Sequence, residues 1–174
     1  MKEPGFCLYA PADWNARAWG FKRAADILAA HVLATFRGGD LVIYPIVFLY
    51  RHHLELSLKE IIINGNKLLD EPVNFKAIHS LRDLWNDCRT VLERIGVSID
   101  IPEAAPFEAC IAQLDGLDPQ SMSFRYPLQK TGAPTLSANL KSVDLQNLQV
   151  VMERMSLFID ITRETVMQRT NAAY

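Results

Sequence analysis

A line of charged side chains interrupts an otherwise apolar part of the sequence. Arg51, Glu55 and Lys59 follow one another at intervals of four residues. On an α-helix this spacing places them along one face, where neighbouring opposite charges can pair. Because an isolated charge is costly to bury, the side chains must either pair or reach water. Two interpretations follow: a solvated or dimer-facing edge, or a polar groove that binds a ligand with His52 or His53 beside it.

The two adjacent histidines are candidates for proton transfer. Imidazole titrates near neutral pH, so either His52 or His53 could act as a general base. Successive residues of a helix point about 100° apart, which places the two rings poorly for sharing one metal ion. No metal site and no cofactor is predicted here, since zinc would need further ligands at suitable spacing. The alternative for each ring is an ordinary hydrogen-bonded histidine, as we also expect for His31.

A second candidate site lies in the basic loop, which we define as residues 119–143. Its only charged residues are Arg125, Lys130 and Lys141, although the whole chain has a net charge of −2. Local positive charge beside serines, Tyr126 and free backbone amides is typical of a phosphate-binding surface. The sequence therefore predicts that this loop binds an anionic ligand.

The length of the basic loop also needs an explanation. A segment of 25 residues without helical period is uncommon in a compact domain and is often functional. Apolar and polar residues alternate over 124–128 and again over 136–140, which is compatible with a hairpin turning near 130–132. An alternative role for Arg125 is to pair with a helix carboxylate such as Glu55 and so fix the loop in place.

The periodicity of apolar residues predicts five helices around these sites. We expect the first to begin at an N-cap, Asp13, and to stop at Gly38. The second runs from near Asp40 to about Ile63, is apolar on most faces and is ended by Gly65. It either starts or bends near Pro45. The remaining helices are expected at 78–95, from Pro106 to Gly116, and from Ser142 or Asp144 toward a polar, fraying end at Tyr174.

Composition limits the classes of protein to consider. Hydrophobic residues make up 49% of the chain and charged residues 22%, which fits one globular domain spanning residues 1–174. Cys7, Cys88 and Cys110 lack metal-ligand spacing, and we interpret them as reduced packing residues of a cytoplasmic protein. The first residues do not resemble a signal peptide. The apolar stretch 41–50 is too short to span a membrane.

Three short motifs resemble those of HEPN domains, all-helical modules of prokaryotic toxin–antitoxin and nucleotide-binding proteins. An apolar helix carries Glu55 and Lys59 in the string LELSLK, His79 and Leu81 open the next helix, and Arg-Tyr-Pro stands at 125–127. The resemblance implies an up-and-down helical bundle that forms a homodimer. It also implies that His79 orders the start of its helix and is not catalytic.

One departure from that family bears on activity. HEPN ribonucleases resemble one another in an Arg followed four to six residues later by His, and no histidine follows His79 here. We therefore expect a binding protein for a nucleotide, RNA or a partner such as a nucleotidyltransferase or other toxin–antitoxin protein. One alternative is a metal-independent RNase in which Arg125 contacts phosphate and His52 or His53 moves the proton. Another is a structural or antitoxin-like subunit.

Overall fold

The computed structural model describes residues 13–73, 77–99, 101–138 and 140–172. Within these ranges the chain forms five helices and no β-strand, so the prediction of an all-α bundle is confirmed. Cys7, the N-terminal segment and Tyr174 lie outside the described residues. The helices are α1 (Trp14–Thr35), α2 (Gly39–Leu68), α3 (Leu81–Arg94), α4 (Ala104–Leu117) and α5 (Leu145–Ala172).

Helix α2 is the central element of the bundle, as its apolar sequence predicts. It packs against α1, α3 and α5, while α4 packs on α3 and α5. Its side chains Tyr50, Leu54, Leu58 and Ile61 are each no more than 1% exposed. Full burial of an aliphatic side chain of this size contributes about 1.5–3 kcal/mol to stability. The polar residues of α2 therefore lie among buried apolar side chains of the core.

Two helices begin at the residues that the sequence indicates. Oδ1 of Asp13 accepts a hydrogen bond from the amide of Ala16 at 2.8 Å at the start of α1. Oδ1 of Asp144 accepts one from the amide of Asn147 at 2.9 Å at the start of α5. Each carboxylate satisfies an amide that has no partner within its own helix.

The predicted end of α2 at Gly65 is wrong, because the helix continues to Leu68. A Cβ atom added at Gly65 would overlap Cγ1 of Val91 on α3. The glycine therefore allows α2 and α3 to approach closely, and its local tendency to end helices is overridden by packing. The predicted start of α2 near Asp40 is confirmed, because the helix begins at Gly39. Pro45 therefore lies inside the helix, and the alternative start near the proline is wrong.

The hairpin expected in the basic loop is reduced to a single turn. The amide of Gln129 donates to the carbonyl of Ala133 at 2.8 Å, and Gly132 has a φ of +83°. The turn thus falls where the sequence places it. Pairing stops at one antiparallel bridge between Leu128 and Pro134, and a proline has no amide hydrogen with which to extend a ladder.

Candidate functional site

The line of charges on α2 is buried, so its interpretation as a solvated or dimer-facing edge is wrong. The side chains of Arg51, Glu55 and Lys59 are 0%, 2% and 5% exposed. Burial is tolerated because the Glu55 carboxylate lies between the two cations. Oε2 accepts from Nη1 of Arg51 at 3.2 Å, and Oε1 accepts from Nζ of Lys59 at 2.8 Å. Opposite charges at this spacing compensate part of the desolvation cost.

Arg51 connects three parts of the chain through its remaining donors. Nη2 donates to the carbonyl oxygen of His79 at 2.6 Å, and Nε donates to that of Asp118 at 3.0 Å. The guanidinium thereby joins α2 to the residues before α3 and to the end of α4. Burial lowers the pKa of Arg51, while the carboxylates of Asp118 and Glu55 favour its charged form. An arginine so paired remains a cation at physiological pH.

Asp118 fixes the start of the basic loop, a role that the sequence did not suggest. The residue is fully buried, and its Oδ1 accepts from the amides of Met122 and Ser123 at 2.7 and 2.9 Å. Its Oδ2 makes no hydrogen bond within the described ranges and lies 3.8 Å from Nε of Arg51. Arg51 and Asp118 together hold the backbone that leads to Arg125.

His79 is tied to α2 and does not cap α3. The N-cap is Ser80, whose hydroxyl accepts from the amide of Asp83 at 3.1 Å. Nδ1 of His79 instead donates to Oε1 of Glu55 at 2.9 Å, and 46% of the side chain is exposed. His79 therefore orders the segment before α3 through a long-range contact. The family-based expectation that His79 opens the helix is wrong in that detail, since α3 begins two residues later.

Glu55 is the anionic centre of this network. Burial alone would raise the pKa of Glu55, but contacts from His52, Lys59 and His79 lower it to about 2. Nδ1 of His52 lies 3.9 Å from Oε2 of Glu55, whereas His79 contacts Oε1. The carboxylate is consequently ionised at neutral pH, with a partly exposed imidazole beside each oxygen.

The two adjacent histidines have different surroundings. His53 is 3% exposed, its Nδ1 donates to the carbonyl of Ala18 at 2.9 Å, and its Nε2 accepts from the hydroxyl of Ser156 at 3.0 Å. Burial lowers the pKa of His53, so the ring is neutral and joins α1, α2 and α5. The prediction of His53 as a surface binding residue is wrong. His52 remains partly exposed, with 25% of its side chain accessible.

Arg125 and His52 meet at one aromatic ring. The imidazole of His52 stacks on Phe48, with centroids 5.5 Å apart and planes 10° from parallel. The guanidinium carbon of Arg125 lies 5.3 Å from the same Phe48 centroid and 5.7 Å from that of Tyr126. These distances suit cation–π attraction. We call Phe48, His52, Arg125 and Tyr126 the Arg125 surface; Phe48 is a member that the sequence did not single out.

Hydrogen bonds within the loop fix the orientation of Arg125. Its Nε donates to the carbonyl of Ser121 at 2.5 Å, and its Nη2 lies 3.4 Å from Sδ of Met122. Among the described residues Arg125 makes no ion pair, so the alternative that it docks onto Glu55 is wrong. Lys130 lies exposed in the turn that contains Gly132, apart from this set of contacts.

Metal-binding clusters and membrane-spanning helices are absent from the described residues. In that part of the chain, no set of three or more His, Cys, Asp or Glu side chains is placed to hold a metal ion. Within the same ranges, none of the helices combines the length and apolar character of a bilayer-spanning segment. Cys88 is fully buried, and both it and the half-buried Cys110 are unbridged. Burial raises the pKa of the Cys88 thiol, as for a packing residue.

Comparison with known proteins found no match to this chain among protein-family models, curated proteins or solved structures.

Proposed function

We propose that the Arg125 surface binds the phosphate groups of a nucleotide or of RNA. The observation that carries this proposal is the position of the guanidinium, which is held over Phe48 while its Nε is engaged by Ser121. Nη1 makes no hydrogen bond within the described residues and Arg125 is exposed. An arginine oriented in this way can engage a phosphate with two parallel hydrogen bonds.

The surroundings of Arg125 support a nucleic-acid component in the ligand. Tyr126 is 49% exposed and lies beside the guanidinium, and exposed aromatic residues next to cations are typical of surfaces that bind single-stranded nucleic acid. The basic loop contributes positive charge in a chain that is otherwise net negative. The side chains of Arg51, Glu55 and Lys59 are at most 5% exposed, so the interpretation of them as ligand-binding residues is wrong. They support the surface from inside the protein.

Titration of the purified protein with nucleotides and short RNAs at several salt concentrations tests this proposal. Affinity should fall as salt rises, because counterions compete for the cationic surface. Binding that is insensitive to salt would contradict it.

A metal-independent RNase with a variant site is a second candidate function. His52 contacts the same Phe48 ring as Arg125 and has the ionised Glu55 carboxylate 3.9 Å away. In this mechanism Arg125 stabilises the phosphate and His52 moves the proton. RNA should then be cleaved in the presence of EDTA, and the His52→Ala variant should be inactive. Intact RNA with the unaltered protein would exclude this activity.

A role in protein–protein contact is supported by one face of α5. Val150, Leu157 and Ile161 are 48%, 61% and 56% exposed and share a face of the helix by their spacing. Exposed apolar side chains that share a helix face are a feature of interaction surfaces, and on α5 the exposed Arg154 lies between Val150 and Leu157. It suits a homodimer, as the HEPN resemblance implies, or a structural or antitoxin-like subunit bound to a nucleotidyltransferase or other toxin–antitoxin partner. Light scattering at high micromolar concentration tests the homodimer: a mass of 19.7 kDa would contradict it.

A further inference from the structure

A groove of about 350 Å³ lies at one end of the bundle. One wall is formed where α1 ends and α2 begins, with Val32 and Tyr44 among its residues. The other wall comes from the basic loop, which contributes Phe124, Leu140 and Lys141. The volume falls at the lower end of the range of small-molecule sites, roughly 300–1,000 Å³.

Two segments of the chain connect the groove to the Arg125 surface. On α2, Tyr44 precedes Phe48 by one turn, which corresponds to about 6 Å along the helix axis. In the basic loop, Phe124 lines the groove and is followed directly by Arg125. Phe124 is 8% exposed, so this wall is anchored in the protein. A single ligand could therefore contact Arg125 with one end and occupy the groove with the other.

The lining of the groove selects the chemistry of that second end. Apolar side chains such as Val32 and Leu140 form most of the groove lining and suit an apolar ring or chain of a ligand. The aromatic residue Tyr44 adds a face on which a planar group can stack. Asp40 and Lys141 place an acceptor and a donor of opposite charge in the same groove. A purely aliphatic group would leave both unused, whereas a nucleobase offers a flat face together with donors and acceptors on its edge.

We propose that this groove is the base-binding subsite for a ligand whose phosphate is held by Arg125. The inference rests on the proposed function and narrows its ligand to one nucleobase with its attached phosphates. Such a unit is present both in a free nucleoside triphosphate and at the 5′ end of an RNA, and the two sources are distinguished by experiment.

Calorimetric titration of the full chain compares three probes: inorganic tripolyphosphate, the four nucleoside triphosphates, and a 5′-phosphorylated RNA tetranucleotide. At least one nucleoside triphosphate should bind about tenfold more tightly than tripolyphosphate, as expected for one stacked base. Weaker binding of the tetranucleotide identifies the free nucleotide as the source of the base. Stronger binding of the tetranucleotide identifies the RNA end, provided that at least one nucleoside triphosphate also shows the tenfold preference over tripolyphosphate.

Variants then assign the gain in affinity to the groove. Tyr44→Ala should remove the tenfold preference for the nucleotide and leave tripolyphosphate affinity unchanged. Ser142→Trp, which adds bulk to the groove lining, should have the same effect by exclusion. The matched control is Leu41→Ala, on the same helix, 79% exposed and outside the groove lining; it should preserve the preference. Circular dichroism establishes that each variant is folded.

Two results separate the failure of this inference from that of the proposed function. Equal affinity for tripolyphosphate and every nucleoside triphosphate, with both weakened by Arg125→Lys, would overturn the base subsite and retain phosphate binding. Absence of Arg125-dependent binding to tripolyphosphate, nucleotide and RNA alike would overturn the proposed function and this inference with it.

Discussion

Arg125 and His52 both contact the ring of Phe48, with the guanidinium carbon 5.3 Å from the ring centroid and the imidazole centroid 5.5 Å away. This relationship joins a loop cation to a helix histidine that are far apart in the sequence. Behind His52 lies the Glu55 carboxylate, which also holds His79. The exposed surface and the buried ion network are thus two sides of one segment of α2.

Removing the ring of Phe48 should weaken anion binding. In Phe48→Ala the guanidinium of Arg125 loses its cation–π contact, worth about 0.5–1 kcal/mol at an exposed site. We expect phosphate affinity to fall by roughly two- to fivefold, measured by calorimetry with tripolyphosphate. Phe36→Ala is the matched control, because Phe36 is 89% exposed in the α1–α2 connection. Equal affinities for the two variants would show that Phe48 does not position Arg125.

Replacement of Arg125 by lysine should reduce affinity although the charge is retained. Lysine cannot reproduce either the two parallel hydrogen bonds to phosphate or the planar contact with Phe48. A loss of roughly tenfold corresponds to about 1.4 kcal/mol, and binding isotherms at fixed salt measure it. Arg154→Lys on the exposed face of α5 serves as the control. Unchanged binding in Arg125→Lys would remove the basis for the proposed site.

Neutralising Glu55 should destabilise the fold strongly. In Glu55→Gln the cations Arg51 and Lys59 stay buried without their shared anion, and breaking a buried pair in this way costs about 3–5 kcal/mol. Urea unfolding measures the change. Glu60→Gln is a close control on the same helix: Glu60 is 9% exposed, its Oε2 makes no hydrogen bond within the described ranges, and burial raises its pKa. That variant should lose little stability, and similar losses in both would contradict the assigned role of Glu55.

The pH dependence of stability should report the ionisation of Glu55. The pKa of Glu55 is lowered from 4.5 to about 2 in the folded protein, so the unfolded chain binds its proton first as pH falls. The stabilisation is complete above about pH 4.5 and is lost as pH falls toward 2. A shift of this size corresponds to about 3 kcal/mol. As the pH is lowered from 5.5 to 2.5, the free energy of unfolding should fall more steeply for the unaltered protein than for Glu55→Gln. Parallel curves would refute the assignment.

Sequence periodicity predicted the five helices, though not the end of α2, because most of their signals are local. Asp13 and Asp144 cap helices that begin immediately after them, and an apolar stripe identifies a buried face without knowledge of its partner. The spacing of Arg51, Glu55 and Lys59 likewise predicted that they pair. The sequence could not show whether these side chains pair at the surface or in the core. The carbonyl groups that accept the remaining hydrogen bonds of Arg51 belong to distant parts of the chain.

The candidate site was predicted only in part for the same reason. The positive charge around Arg125 is visible in the sequence, but its partner Phe48 lies on another element and has no distinguishing local pattern. His52 and His53 look equivalent as neighbours in the sequence. Only packing shows that His53 is enclosed by Ala18 and Ser156.

Gly65 tests whether a long-range contact with Val91 outweighs the usual preference of a helix for alanine over glycine. In an open helix position, glycine to alanine is stabilising by roughly 0.5–1 kcal/mol, and Gly20→Ala in α1, with no atom within 4 Å of the added Cβ, should show this gain. Gly65→Ala should instead destabilise by about 1–3 kcal/mol, because the new methyl group overlaps Val91.

A double-mutant cycle in urea separates that overlap from any helix effect. Val91→Ala alone removes buried methyl groups and should also destabilise, but it opens the space that the added methyl group of the Gly65→Ala variant needs. The double variant Gly65→Ala with Val91→Ala should therefore be more stable than the sum of the two single changes predicts, by at least about 0.5 kcal/mol. Additive losses would show that α2 and α3 do not meet at this pair, and the glycine would then need another explanation.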